Sequence, residues 1–377
     1  MIDFEFEKHN PTAARIKVLG VGGGGSNMVN SMINAGFEHV DFIVTNTDAQ
    51  ALKASNAPNK IQLGVKSTKG LGAGANPEMG RKAAEEDLDK IIECLDGADI
   101  VFLTGGLGGG TGSGALPVIA RALKTRDILT VAVVTKPFTF EGKRRMKVAQ
   151  EALELIKNDV DTLVVIPNQN LIDVADRNVS LMNAFAMINS ILNQFIRSIA
   201  DIIARPGHIN VDFADVKAIM KHKGSAIIGT GRATGDDRAC VAAQNAISSP
   251  LLDTVQIAGS RGVLINITGG SDLSLHEVSA AAAKVYELAH EEATIIVGTV
   301  IDESCKGEVI VTIIATGFEQ GVEKTVAAQP AKTVEMAVEM KEQAAAPVVE
   351  ETEKVVLDLN DLDIPSVMRR MAQEKQL

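Results

Sequence analysis

The sequence predicts an α/β fold: a doubly wound parallel-sheet domain, a long central helix, and a second α+β domain. Three observations carry that prediction. Short, continuous apolar runs alternate with helical stretches through the first half, two glycine runs stand directly after two of those runs, and one long helical stripe follows before the pattern changes. Strands that read as unbroken apolar runs belong to a sheet covered on both faces, and ligands of such sheets bind beyond the carboxyl ends of the strands.

In order, residues 15–21 form an apolar strand, followed by Gly22-Gly-Gly-Gly-Ser-Asn and a helix to about Ala35. A second strand over 40–45 ends at Asn46-Thr47-Asp48. A third over 99–103 runs into Thr104-Gly-Gly-Leu-Gly-Gly-Gly-Thr-Gly-Ser-Gly and another helix. Strands at 128–135 and 162–167 flank a polar helix over 142–158. Residues 180–204 then read as one helix, roughly 35 Å long, with Leu181, Phe185, Ile188, Leu192, Phe195, Ile199 and Ile202 at helical spacing. Pro206-Gly207 ends it.

A second region follows, with strands near 226–229, 263–268, 293–300 and 308–316. Ser274 and Glu277 form a capping box for a helix expected to reach about Glu292. A short turn at Lys306-Gly307 joins the last two strands, so at least part of this sheet is expected to be antiparallel. The expected organisation is a nucleotide-binding domain over 1–179, a connecting helix over 180–206, and an α+β domain over 207–319. A linker over 320–356 and a terminal peptide over 357–377 complete the chain.

Composition narrows the function. The 377 residues carry 37 Lys+Arg against 48 Asp+Glu, a net charge of −11. That balance argues against a protein that coats nucleic-acid phosphates or anionic membrane. Cys94, Cys240 and Cys305 are far apart, so neither a disulfide framework nor a metal knuckle is expected, and a reducing compartment is. The acidic start Met1-Ile-Asp-Phe-Glu-Phe-Glu lacks the features of a signal peptide. Apolar runs such as 128–134 are too short to span a bilayer. A cytoplasmic protein without direct membrane insertion is expected.

All aromatic residues lie at or before Phe318, and only Gly321 among the glycines follows it. From 320 to 356 the chain is mostly Ala, Val, Glu, Lys, Gln and Pro, too poor in bulky apolar surface to offset the entropy of ordering. As a flexible coil, about 40 such residues would reach roughly 35 Å. Beyond them, an acidic half, an Ile-Pro hinge and a basic amphipathic half read either as a docking peptide or as a frayed terminus.

The glycine runs carry the chemistry. Glycine inside a helix costs about 1 kcal/mol relative to alanine, so consecutive glycines are expected in a loop that closely approaches another group. Such a loop between a strand and a helix presents free amides at a positive helix end, a phosphate site. Gly20-Val-Gly22-Gly-Gly-Gly25 also fits the dinucleotide pattern, with Asp48 downstream, so a nicotinamide oxidoreductase is a rival reading. Against it, two glycine loops stand on one sheet. Neither carries the Lys-[Ser/Thr] of an ordinary P-loop NTPase. A nucleotide-binding scaffold that assembles without hydrolysis is a third reading.

Gly108-Gly-Gly-Thr111-Gly-Ser-Gly114 matches the tubulin-type phosphate loop at every position. With Gly22 to Asn27, Asn46-Thr-Asp48, Lys69-Gly-Leu-Gly-Ala-Gly-Ala-Asn-Pro77, Lys136-Pro-Phe-Thr-Phe-Glu-Gly-Lys-Arg-Arg145 and Asn210-Val-Asp-Phe-Ala-Asp-Val216, the chain resembles the FtsZ family of bacterial tubulin-like GTPases. These polymerise into the cell-division ring.

The resemblance implies GTP/GDP as ligand, with Mg2+ carried by the nucleotide and water and no direct protein metal ligand. It implies that Gly23, Gly24, Gly25, Gly108, Gly109, Gly110, Thr111 and Gly112 hold phosphates, with Ser26 where many members have glycine. Thr111 also reads as a helix cap. Ala73, Gly74 and Ala75 match the γ-phosphate-sensing loop. Glu141 and Arg145 match the ribose pair, or form an exposed i,i+4 ion pair on one helix face. Asn27, Asn168 and Asn189 match the guanine readers and Phe185 the stacking platform, although Phe185 alone reads as core. Asp48 matches a position beside ribose or a metal-bound water.

Asp212 and Asp215 match the catalytic pair and Asn210 the residue that positions their loop; locally, Asp212 reads as a helix N-cap. In the family that loop serves the nucleotide of the neighbouring subunit, so the implied partner is a second copy, head to tail. Asp363, Ile364, Pro365, Val367, Met368, Arg369 and Arg370 resemble the peptide that docks membrane adaptors and division regulators, with Val367-Met368 replacing the commoner Phe-Leu. No nucleic-acid partner is implied. The implied location is the mid-cell division ring.

Overall fold

The computed structural model describes residues 14–170, 179–204, 209, 211–221, 224–249 and 259–318. Asn210, the linker over 320–356 and the peptide over 357–377 lie outside the described residues.

The first half alternates as expected: β1 (Ile16–Val21), α1 (Gly22–Asn34), β2 (Val40–Asn46), α2 (Ala49–Ala54), β3 (Asn59–Gln62), α3 (Val65–Thr68), α4 (Pro77–Glu86), α5 (Leu88–Leu95), β4 (Ile100–Gly106), α6 (Thr111–Lys124), β5 (Leu129–Lys136), α7 (Lys143–Lys157) and β6 (Thr162–Pro167). The strands pair in parallel in the order β3-β2-β1-β4-β5-β6. That is the doubly wound arrangement, and its order reverses between β1 and β4. Val21 is in register with Gly105, so both glycine runs leave the sheet side by side at this switch point.

Alternating burial divides each strand between two cores. Val18, Phe102, Val131 and Val133 face α1 and the long helix α8 (Leu181–Ala204). Leu19, Leu103, Ala132 and Val134 face α4, α5, α6 and α7. The short edge strand β3 and helices α4 and α5 were not read from the sequence. Asn59-Lys-Ile-Gln has one buried side chain, Ile61, and so carries no apolar run.

After α8 come α9 (Phe213–Met220), β7 (Gly224–Thr234), α10 (Arg238–Ile247), β8 (Gly262–Gly269), α11 (Leu275–Tyr286), β9 (Thr294–Ile301) and β10 (Glu308–Thr316). The expected antiparallel part of this sheet is present, although β9 and β10 do not form it together. β10 lies between β7 and β8, antiparallel to both, and among the described residues β9 pairs only with β8, in parallel. The physical reason is burial: Val309, Val311, Ile313, Ile314 and Ala315 of β10 are all buried, whereas Thr294 to Val297 of β9 are exposed or half-buried and suit an edge. The capping box forms as expected, with Glu277 N–H bonded to Ser274 Oγ at 3.2 Å. Helix α11 stops at Tyr286 rather than Glu292. Glu287, Glu291 and Glu292 would put negative charge at the negative end of a longer helix.

Candidate functional site: two phosphate loops and a remote aspartate pair

The glycines of the first run are not a loop. Val21 caps α1, and Gly22 to Gly25 form its first turn. At two of these positions no larger residue fits. A Cβ on Gly25 would stand 2.6 Å from the Thr104 carbonyl oxygen, and one on Gly24 would stand 2.9 Å from the Gly106 nitrogen. Gly23 meets nothing within 4 Å, so its backbone faces open space. Ser26 is buried and its hydroxyl donates to the Gly22 carbonyl at 3.0 Å, closing this turn. Asn27, one residue on, is exposed.

The second run does form a turn. Gly108 has φ +94°, and its N–H donates to Ser113 Oγ at 2.9 Å. Helix α6 is capped by Gly110, so Thr111 is its first helical residue rather than the cap. The Thr111 hydroxyl instead pairs with that of Thr47 at 2.7 Å, joining the end of β2 to the turn. A Cβ on Gly112 would sit 2.4 Å from the Gly106 oxygen, and Gly109 faces open space. Two helix N-termini therefore converge with their first amides free of side chains, a geometry that binds phosphate oxygens.

The third wall is the segment from Lys69 to Asn76. Lys69, Gly70, Gly72, Gly74 and Ala75 all have positive φ, a backbone that winds tightly without regular structure. It is held to the end of β2: Gly72 N–H donates to the Thr47 carbonyl at 3.2 Å, and Ala49 N–H to that of Gly70 at 3.1 Å. Ala73 is buried against Gly110, whereas a Cβ on Gly74 would meet nothing. Asp48 caps α2 through Oδ1, which accepts from Gln50 N–H at 2.8 Å and Ala51 N–H at 3.1 Å. Its second oxygen takes no part in that cap.

On the other flank, Glu141 and Arg145 form the expected ion pair. They do so across a break: Glu141 ends a 3-10 turn, Gly142 has φ +98°, and Arg145 belongs to α7. Glu141 also accepts the Phe138 N–H at 2.9 Å. A Cβ on Gly108 would lie 3.0 Å from the Arg145 carbonyl, so this pair borders the second loop. Phe185 is not core. It is 43% exposed and meets the buried Phe138 ring edge-on, 5.4 Å between centroids. Asn168 follows β6 and is buried, and its Oδ1 has no partner among the described residues. A buried acceptor without a donor fits a ligand N–H. Asn189 lies one turn beyond Phe185 on α8.

Asp212 and Asp215 stand elsewhere. Asp215 N–H donates to Asp212 Oδ1 at 2.8 Å, and Asp212 N–H to Asp215 Oδ2 at 3.4 Å, a reciprocal capping box on α9. Both are exposed. Lys217 of α9 pairs with Asp127, just before β5, at 2.9 Å, and the Met220 carbonyl accepts from Thr162, the first residue of β6. Helix α9 therefore sits at the amino ends of the strands. The glycine turns are at the carboxyl ends, a strand length of roughly 25 Å away, and α9 itself spans only about 12 Å. Within one chain the aspartates do not reach the loops.

Several contributors were missed from sequence: Thr47, Ser113, Phe138, and the helical glycines Gly80 and Gly114. A Cβ on Gly80 would stand 2.2 Å from the Gly110 oxygen, and one on Gly114 would stand 2.1 Å from the Pro77 oxygen, so both let α4 and α6 touch beneath the loop. Gly80 was signalled as a lone glycine within a helical pattern, and Gly114 as the last glycine of the second phosphate motif. Among the described residues no group of three or more His, Cys, Asp or Glu is placed to hold a metal, and no helix is long and apolar enough to cross a membrane.

Paired helix N-termini at the switch point of a doubly wound sheet define a nucleotide-phosphate-binding α/β protein. Residues 15–176 match the Tubulin/FtsZ family GTPase domain, and residues 224–319 match the FtsZ family C-terminal domain. The cell division protein FtsZ of Pseudomonas aeruginosa is 50% identical over 370 residues, covering 98% of this chain and 92% of that one. A structure of an empty FtsZ dimer from M. jannaschii is 44% identical with a TM-score of 0.77, over 82% of this chain and 89% of that one. The structure of CetZ2 from Haloferax volcanii is 22% identical with a TM-score of 0.70, over 81% of this chain and 94% of that one, and shares the fold. The chain belongs to the FtsZ family of tubulin-like cell-division GTPases.

Proposed function

We propose that this chain binds GTP at the β1 and β4 glycine turns and assembles head to tail, and that Asp212 and Asp215 of one copy complete the hydrolytic site of the next. The observation that carries this reading is the separation just described. A phosphate site and a carboxylate pair at opposite ends of one sheet are useless to each other within a chain. They meet when a second copy stacks end to end, and a contact that repeats without closing makes a filament. The M. jannaschii relative forms a dimer.

In this reading the amides of Gly23, Gly24, Gly25 and Gly109 to Gly112 hold the phosphates, Gly108 shapes their turn through its bond to Ser113, and Ala73, Gly74 and Ala75 border the γ-phosphate. Phe185 carries the base, Asn27, Asn168 and Asn189 read its edge, and Glu141 and Arg145 border the ribose. Asp212 and Asp215 accept hydrogen bonds from the attacking water and orient it in line with the bond to be cleaved, with Asn210 steadying their loop. Phosphoryl transfer needs mainly positioning and charge stabilisation, which a site split between chains can supply.

Mg2+ fits as a companion of the triphosphate. Such ions usually take phosphates and several waters, and the Asp48 oxygen left out of the α2 cap would accept from a metal-bound water rather than form part of a protein cage. Bound there, the ion would offset phosphate charge. The peptide over 357–377 docks adaptor and regulatory division proteins, and through them the polymer is held at the mid-cell ring.

GTP turnover per subunit, followed against protein concentration with light scattering alongside, tests the reading. Turnover should rise from near zero above a threshold, together with scattering. Turnover per subunit that stays flat would refute the shared site.

A further inference from the structure

Helices α1 and α8 carry matching polar stripes. On α1, Asn27 and Ser31 are followed at the same four-residue spacing by Ala35, the residue that caps its carboxyl end. On α8, Asn189, Asn193 and Arg197 share that spacing. Two rungs between them are bonded. Asn193 Nδ2 donates to Ser31 Oγ at 2.9 Å, and Arg197 Nη2 donates to the Ala35 carbonyl at 2.5 Å. Each pair is 162 residues apart, so the helices run parallel and in step. The same separation carries Asn27 to Asn189, the next rung towards the amino ends where the phosphate amides lie.

The lower rungs are built to hold register. Arg197 closes the carboxyl end of α1, where unpaired carbonyls favour a cation, and its guanidinium carbon lies 4.7 Å from the Phe37 ring centroid. Phe37 in turn meets Phe42 of β2 edge-on. Asn193 lies beside the apolar stripe of α8, and its Oδ1 is buried without a partner among the described residues. Leucine there would remove an unsatisfied acceptor. A polar residue kept at such a cost is the device that fixes register between packed helices elsewhere.

We propose that Ser31, Asn193 and Arg197 are positioning residues for base recognition: they lock α8 to α1 so that Asn189 and Phe185 stand at a set distance from the phosphate amides. A slip of one residue would move the α8 platform about 1.5 Å along the axis and turn it by about 100°. Phosphate binding, which uses α1 and α6 alone, would be spared. This inference rests on the nucleotide reading above.

The test is calorimetric titration of GDP, ADP and inorganic pyrophosphate into wild type, Asn193→Leu, Ser31→Ala, Arg197→Met and Arg197→Lys, with a thermal melt of each. The expected result for Asn193→Leu is GDP affinity lowered about tenfold or more and a smaller preference for GDP over ADP. Its pyrophosphate affinity should be unchanged and its melting temperature equal or higher. Arg197→Met should show the same GDP, ADP and pyrophosphate pattern with a lower melting temperature, since it uncaps α1, and Arg197→Lys, which keeps the bond to Ala35, should retain most of the preference. Should Asn193→Leu not fold, Ser31→Ala deletes the same rung with the better helix former and must show the same loss of preference.

An unchanged GDP-to-ADP ratio in folded variants overturns the proposal, as does an equal loss of pyrophosphate affinity. A wild-type chain that binds no GDP refutes the nucleotide site itself. A wild type that binds GDP, with variants indistinguishable from it, refutes only the ladder.

Discussion

Asp212 and Asp215 hold each other's backbone: the Asp212 carboxylate accepts the Asp215 N–H at 2.8 Å, and the Asp215 carboxylate faces the Asp212 N–H at 3.4 Å. The pair offered as catalytic is therefore also the cap of α9, and a substitution there touches both stability and chemistry unless the two are separated.

Asn caps helices as well as Asp does, whereas Ala forfeits about 1 kcal/mol. Asp212→Asn is expected to melt with wild type and to bind GTP and polymerise, yet to lose nearly all turnover. Asp212→Ala should lose turnover and also melt a few degrees lower. Turnover, GTP binding and melting temperature, measured on both variants, check this. Loss of GTP binding in either would place the residue in the wrong site.

Glycines of the loops divide by what a methyl group would strike. At Gly80 and Gly114 it would meet backbone at 2.2 and 2.1 Å, so alanine there should destabilise by about 1–3 kcal/mol and loosen the second phosphate loop. At Gly23 and Gly109 it meets nothing within 4 Å. Alanine should leave the denaturant midpoint unchanged at Gly109 and unchanged or higher at Gly23, a helical position, while weakening GDP binding at both, because only the ligand is struck. Urea unfolding beside GDP titration separates the two groups.

Arg238 is buried between Asp272 and Glu277, each at 2.6 Å, and ties α10 to α11. The guanidinium and the Ser274 cap hold the Glu277 carboxyl down at about 2. Because the folded value lies below the ordinary 4.5, this stabilisation is complete above pH 4.5 and disappears as pH falls towards 2. Glu277→Gln should cost about 3 kcal/mol at pH 7 and flatten the acid limb of stability between those values. Denaturant unfolding at stepped pH measures both. An acid limb unchanged in the variant would remove Glu277 from the account.

Deleting residues 357–377 should leave GTP turnover and its concentration threshold intact and abolish binding to adaptor proteins. Loss of turnover would mean that the peptide contributes to the catalytic body.

The order of strands and helices around β1, β4, β5, β6 and α8 was legible in the sequence, because apolar runs and helical stripes are local consequences of which side chains must leave water. So was the second phosphate loop, a contiguous motif whose residue types answer to one backbone path. Tertiary structure decided what depends on contacts between distant segments. Gly22 to Gly25 open a helix in which Gly24 and Gly25 press on Gly106 and Thr104, contacts that no local propensity records. Strand β10 went to the middle of its sheet because burial there outweighed pairing with its neighbour in sequence. And only the packing of α9 on Asp127 and Thr162 put Asp212 and Asp215 at the far end from the loops, the separation from which a site shared between copies follows.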